Sequence, residues 1–354
     1  MAGVRRHIYA PAMTGNGILL IGVGTRGKIW RDSIANHERW RLAGIVDIDV
    51  GRAKEEAEVV GLGPDRCWQT IEAALDATPD ARAAVIATPH HHHVVPCLTA
   101  IDRGVAVLLE KPFAPTLAEG VTLVRSAEEK GTPLLVGQNY RYLRWTRTAR
   151  SLIDSGRLGR VGVISMRYYR PWKDLEPQLL SLENSVLWGI SPHHLDLMRY
   201  LTGSDAASIS ARLSTIYEED RPPGATMNAL VTLENGAEIT YSATYESTGQ
   251  ERMEGGREFF MRATGDKATL HVLQRLLFLT PAGRLPRPVR RGPRPETEES
   301  ILLSQLDDAI RSGAEPECSG RDNLRTLAMI EACSRSSAEG VTVDPRELLR
   351  DALA

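Results

Sequence analysis

The sequence predicts a doubly wound parallel α/β domain over residues 17–140 and an α+β domain with a large, mostly antiparallel sheet over 141–354, after an extension of residues 1–16. Three observations predict this. Up to about residue 140, continuous apolar runs alternate with helical patterns, as strands do when helices cover both their faces. Beyond it, strand follows strand with a single helix between them, the order of an α+β domain. The chain has 354 residues, 42% of them hydrophobic and 25% charged. That is enough for about two domains, and it excludes disorder as the main state.

The elements follow in order. GILLIGVG reads as a buried strand and RGKIWRDSIANH as its helix. RLAGIVDID and VGRAKEEAEVVGL repeat the pair, and DARAAVIATP, GVAVLLEKP and TPLLVGQN supply further strands. HHVVPCLTAIDRG and TLAEGVTLVRSAEEKG are the helices between them, long enough for parallel crossovers. In the second half VGVISMRYYRPW, SDAASISARLSTIYEE, MNALVTLENGAEITYSATYES, REFFMRATGDKATLHVL and QRLLFLTPAG read as strands. Asn235-Gly236 marks a tight hairpin turn, and SPHHLDLMRYLTG is the intervening helix. Two amphipathic helices, ESILLSQLDDAIRSG and GRDNLRTLAMIEACSRSSAEG, close the chain.

A net charge of −2 gives no global field for nucleic acid or an acidic membrane, and no apolar run approaches the ~20 residues that span a bilayer. Cys67, Cys97, Cys318 and Cys333 follow no metal spacing and read as reduced thiols of a cytoplasmic protein. Arg5 and Arg6 precede no apolar segment, so no signal peptide is expected. Only six of the 43 basic residues are lysines, which draws attention to each of them. The arginine-rich stretch 284–294 carries no interleaved aromatic residue and reads as a solvated loop.

Gly22-Val23-Gly24-Thr25-Arg26-Gly27 is a GxGxxG turn between a strand and a helix, the context in which it cradles a dinucleotide pyrophosphate. Asp47 ends the second strand, twenty residues after Gly27. A carboxylate there accepts the ribose hydroxyls and repels a 2′-phosphate, favouring NAD over NADP; Arg26 and Arg52 would soften that preference. Lys111, in Glu110-Lys111-Pro112, stands at the carboxyl end of a buried strand, where ligands of such sheets bind. Burial there would equip it to orient a hydroxyl or shuttle a proton, although spacing alone does not separate this from a surface lysine. In the helix SPHHLDLMRYLTG, Ser191 reads as the N-cap, Pro192 as the first helical residue and Gly203 as the stop. His193 and His194 then fall in the first turn, where the helix dipole favours neutral imidazole, the form a general base needs. His194 extends the apolar stripe of Leu197, Met198 and Leu201, whereas His193 does not. The run His90 to His93 lies on a turn and helix start, where neighbouring rings diverge, and no metal is expected.

The order GxGxxG, Asp47, TPHHHH, EKP, VGQNYRY, GRLGRVGVISMRYY, HHLDLMRYLTG, TGDKATL resembles the glucose-fructose oxidoreductase/inositol dehydrogenase (Gfo/Idh/MocA) family along nearly the whole chain. The resemblance implies a Rossmann domain joined to a domain whose open sheet serves oligomerisation, with helices of about 300–340 packing back toward the first domain. It implies NAD(P)-dependent oxidation or reduction of a sugar, glycoside or polyol by a homodimer or homotetramer. It assigns Lys111 and His193 to catalysis and suggests a cis Lys111–Pro112 bond. For the cofactor it implies Gly22, Gly24, Thr25, Arg26, Gly27, Asp47, Ile48, Thr88, Pro89, His90, His93, Glu110, Lys111 and Asn139, with His90 where asparagine is usual. For the substrate it implies Lys111, Arg141, Tyr169, His193 and His194. His193 and Asp196 meet the family's His-x-x-Asp pattern. One departure stands out: many members place an aspartate four residues before the histidine, and here that residue is Gly189. His194, Tyr140, Tyr168 or Tyr169 is left to supply the missing contact. Two alternatives share the fold: a glycosidase that cycles a retained NAD, and a catalytically silent NAD-binding regulator.

Overall fold

The computed structural model describes residues 15–180, 182–217, 221–247, 258–292 and 296–354. The chain divides into two compact units, one of residues 1–139 and 296–323 and the other of 140–295 and 324–354.

The first unit holds a six-stranded parallel sheet. Its strands are β1 (Asn16–Ile21), β2 (Trp40–Val46), β3 (Cys67–Trp68), β4 (Ala81–Ile86), β5 (Ala106–Leu109) and β6 (Leu134–Val136), in the order β3-β2-β1-β4-β5-β6. Consecutive residues such as Ile18, Leu19 and Leu20 are all buried, as two-sided covering requires. Helices α1 (Thr25–Ala35), α2 (Val50–Val59), α3 (Ile71–Ala77), α4 (Val94–Asp102) and α5 (Leu117–Lys130) provide the crossovers. Their ends follow local chemistry: the Thr116 hydroxyl accepts from Glu119 N–H at the start of α5, and Gly131 ends it at φ 61°. The helix Glu298–Ser312 belongs to this unit too; Trp40 Nε1 donates to Leu303 O at 2.8 Å. The chain winds outward from β1 in both directions, so the β1–β4 boundary is the switch point beyond which such sheets bind ligands. The sequence reading missed β3, whose two residues show no period, and α3, a seven-residue helix capped by Thr70.

The second unit holds an eight-stranded sheet of β7 (Val161–Tyr169), β8 (Ala206–Ser214), β9 (Thr226–Leu233), β10 (Glu238–Thr244), β11 (Glu258–Gly265), β12 (Ala268–Leu273), β13 (Leu276–Pro281) and β14 (Arg287–Pro288). The order is β14-β13-β12-β11-β7-β10-β9-β8, antiparallel apart from the β7–β10 pair. Along β10, Ile239, Tyr241 and Ala243 are buried while Glu238 and Thr240 are exposed, the alternation of a sheet covered on one face. Helices α6 (Arg144–Asp154), α7 (Pro177–Leu180), α8 (Ser185–Gly189) and α9 (Ser191–Thr202) belong here. The sequence reading had only α9 of these four. The Asn235-Gly236 turn joins β9 to β10 in a tight hairpin as expected, Leu233 pairing with Ala237 around three loop residues of which only Gly236 has positive φ. The arginine-rich stretch is largely exposed as expected, but its Arg287 and Pro288 form β14 and pair with β13; Pro293 and Arg294 lie outside the described residues.

Candidate active site

The turn after β1 is built for close approach of a ligand. Gly22 sits at φ 87°, and a Cβ on it would lie 2.9 Å from Thr88 N, across the switch point. A Cβ on Gly27 would overlap the Gly22 carbonyl, so this glycine lets α1 pack against the strand end. Gly24 has open space in front of it and offers no side chain to cap α1, leaving the helix's first N–H groups for an anion. Each glycine thus meets one requirement of a pyrophosphate cradle, and the residues fit a dinucleotide. Asp47, at the end of β2, accepts from Val23 N–H at 2.9 Å and from Arg52 Nη2 at 2.6 Å. Burial works against its charge, yet Arg52 and the Val23 and Asp49 N–H groups outweigh it and hold its pKa below the usual range. Ile48 beside it is 81% exposed, an apolar surface on which an adenine could lie.

Glu110 is the polar centre of this unit. Its carboxylate is buried and accepts from Arg26 Nε at 2.8 Å, Trp30 Nε1 at 2.7 Å and the Lys111 N–H at 3.1 Å. Burial opposes ionisation, but the charges of Arg26 and Lys111 keep the group ionised. Arg26 also donates to Glu299 at 3.1 Å, and Asn139 Nδ2 reaches the same carboxylate at 3.2 Å. Arg26 is therefore occupied by two carboxylates, and Arg52 is the cation at Asp47. The Lys111–Pro112 bond is cis. His93 Nε2 donates to Thr88 O at 2.9 Å, His93 being wholly buried. His90 and Pro89 lie on the same turn; burial, then His93, His91 and Lys111, lower the His90 pKa to about 4. Among the described residues no cluster of metal-ligating side chains forms. The sequence reading passed over Glu299 and Trp30; a helix start at Thr297, rich in glutamate, was the only signal for the former.

In the second unit, α9 is buried from Ser191 to Arg199. Ser191 does not cap it: Ile190 holds the N-cap position, and the Ser191 hydroxyl donates to Val186 O at 2.9 Å. Pro192 is consequently the second helical residue, while Gly203 ends the helix at φ 64° as expected. His193 stacks on Tyr140 with centroids 4.0 Å apart and planes 6° from parallel. His194 Nδ1 lies 2.8 Å from the Tyr241 hydroxyl, which burial holds in its neutral form. Tyr168 faces His194 at 5.2 Å. Tyr169 does not join them, because alternation along β7 turns it to the opposite face beside Arg167. Nor is Arg141 placed as a free substrate contact: it makes a bidentate pair with the wholly buried Asp196, at 2.6 and 2.7 Å. That pair fixes the helix, with Thr326 Oγ1 donating to Asp196 at 3.2 Å.

Comparison with known proteins finds both domains. Residues 17–138 match the oxidoreductase family with an NAD-binding Rossmann fold, and residues 146–271 match the GFO/IDH/MocA C-terminal domain. D-apiose dehydrogenase of Paraburkholderia graminis is 28% identical over 95% of this chain and 91% of its own length. Inositol 2-dehydrogenase of Leifsonia xyli is 30% identical over 60% of this chain and 61% of its own. An oxidoreductase from Agrobacterium radiobacter, solved with NAD+, L-tartaric acid and magnesium, superposes with a TM-score of 0.83 at 26% identity, covering 95% of this chain and all of that one.

Proposed function

The chain belongs to the Gfo/Idh/MocA family of oxidoreductases with an NAD-binding Rossmann fold, and on that premise we propose that it transfers a hydride between NAD and a hydroxyl or keto carbon of a sugar, glycoside or polyol. The observation that carries this reading is the Gly22–Gly27 turn, where each glycine answers a separate demand of a bound pyrophosphate. Gly22, Gly24, Thr25 and Gly27 would cradle the pyrophosphate, and Asp47 would hold the adenine ribose beside Ile48. When bound, the nicotinamide supplies the hydride acceptor or donor.

The remaining work belongs to side chains of this chain. His193 is the proton acceptor in the oxidation direction: it takes the proton from the reacting hydroxyl, its ring plane fixed by Tyr140. Lys111 orients that hydroxyl and stabilises the charge developing on its oxygen, its backbone held through Glu110. NAD is preferred to NADP because Asp47 remains ionised where a 2′-phosphate would lie. The outer sheet face, with Arg167, Tyr169, Arg212 and Leu230, is the contact surface of a homodimer or homotetramer, and the four buried free thiols support a cytoplasmic location. Among the described residues no helix is long and apolar enough to cross a membrane.

The test is to incubate the protein with NAD, and separately with NADP, and a pooled panel of sugars, polyols and glycosides while following nicotinamide absorbance. A rise with NAD that splits to one substrate class is expected. Tight NAD binding without turnover on any member would overturn the reading.

A further inference from the structure

Gly189 ends α8, four residues before His193, and its φ is not in the left-handed region. The backbone itself therefore does not require glycine. The requirement comes from a side chain. A Cβ at this position would overlap the Tyr245 hydroxyl, and would lie 3.4 Å from Tyr245 Cζ and 3.3 Å from Leu179 Cδ2. Tyr245 follows β10, its N–H donating to Ala225 O at 2.8 Å, and its ring is 1% exposed. A ring so enclosed has no room to swing aside for a methyl group. The space in which a side chain at residue 189 would project is filled by a phenol delivered from the sheet.

We propose that Tyr245 is a positioning residue of the hydride-transfer site, its phenol filling the space opened by Gly189 and fixing the turn that carries His193. The inference rests on the oxidoreductase reading above. Three features converge on it. His193 N–H donates to Ile190 O at 3.1 Å, so the α8–α9 junction sets where the imidazole begins. Tyr140 stacks on that imidazole, and Tyr241 engages its neighbour His194. Tyr245 meets the same helix junction from the side of Gly189. Burial keeps its hydroxyl protonated, so the group beside the junction is neutral and able to donate, unlike a carboxylate, which only accepts. None of the residues that the sequence offered for this place, His194, Tyr140, Tyr168 or Tyr169, approaches Gly189 as closely.

The experiment is a double-mutant cycle on the full chain with Tyr245→Phe, Gly189→Ala and both together. Its readouts are kcat and KM for the sugar identified above, NAD affinity by titration, and Tm. Tyr245→Phe keeps the ring and should lower kcat about tenfold with NAD affinity unchanged, and Gly189→Ala should cost about a hundredfold, because the methyl and the enclosed phenol cannot share the space and the α8–α9 turn must shift instead. In the double variant the second loss should largely vanish, because the hydroxyl that the methyl would strike is gone. A tyrosine that only packs would lower Tm and leave kcat intact. Wild-type kcat in Tyr245→Phe, or losses that simply multiply, would overturn the proposal. A wild-type protein inactive on the whole panel would instead count against the oxidoreductase reading, and NAD titration separates that case.

Discussion

Gly22 and Gly189 are both irreplaceable glycines, for opposite reasons. Gly22 is held to glycine by its own φ of 87° and by backbone atoms around Ala87 and Thr88. Gly189 has an ordinary backbone and is held to glycine by the phenol of the residue that follows β10. The cofactor turn is thus written in main-chain geometry, which a short motif encodes, whereas the histidine helix depends on side chains gathered from distant strands. A site of the first kind tolerates sequence drift around it; one of the second kind changes whenever a distant partner changes.

The largest effect expected from breaking either side of that contrast is on chemistry. Lys111→Ala and His193→Asn should each lower kcat by about 10²–10⁴-fold while NAD affinity stays near the wild-type value. Steady-state kinetics paired with a binding titration checks this, and a loss of NAD affinity as large as the loss of kcat would show that the residue binds cofactor and does no more. Next is Gly22→Ala. Its Cβ meets Thr88 N and the Ala87 carbonyl in a left-handed conformation that costs about 1–3 kcal/mol. NAD affinity should fall by roughly tenfold or more, whereas Gly189→Ala should leave it unchanged. Equal NAD affinities for the two variants would dissolve the contrast.

A smaller effect is expected at Asp47. Asp47→Ser removes the ionised carboxylate and frees Arg52, now held at 2.6 Å, to meet a 2′-phosphate. The ratio of kcat/KM for NADP over NAD should rise about ten- to a hundredfold, since one ion pair is exchanged for another. If the ratio does not move, Arg52 is not directed at the ribose.

The same contrast explains what the sequence disclosed. The parallel sheet was legible because strands buried on both faces are unbroken apolar runs, and the GxGxxG turn because its glycines sit at fixed offsets. The mostly antiparallel sheet was legible from strand runs divided by turn residues. β3 and α3 were missed because two and seven residues carry too little period to detect. Ser191 was read as a cap because serine before a helix commonly is one; Ile190 takes that place because α8 runs almost directly into α9 and the hydroxyl bonds back to Val186 O. The sequence does not disclose which face β7 presents and so does not separate Tyr169 from Tyr168, and neither Tyr245 nor Glu299 is near its partner in sequence. Contacts of that kind become visible only once the sheet is assembled.

The smallest expected effect concerns the histidine turn after β4. Burial first, then His93, His91 and Lys111, hold the His90 pKa at about 4 against 6.5 for the free group, and burial moves His93 in the same direction. With a folded-state pKa below the unfolded one, the unfolded chain binds the proton more readily. The contribution of His90 is therefore complete above about pH 6.5 and is lost as the pH falls toward about 4. His90→Asn removes this titration, so the drop in Tm between neutral and mildly acid buffer should shrink by about 2 °C relative to wild type. Thermal melts across that range check it, and parallel curves for the two proteins would mean that the acid sensitivity of this unit arises elsewhere, with His93 and His37 the next groups to replace.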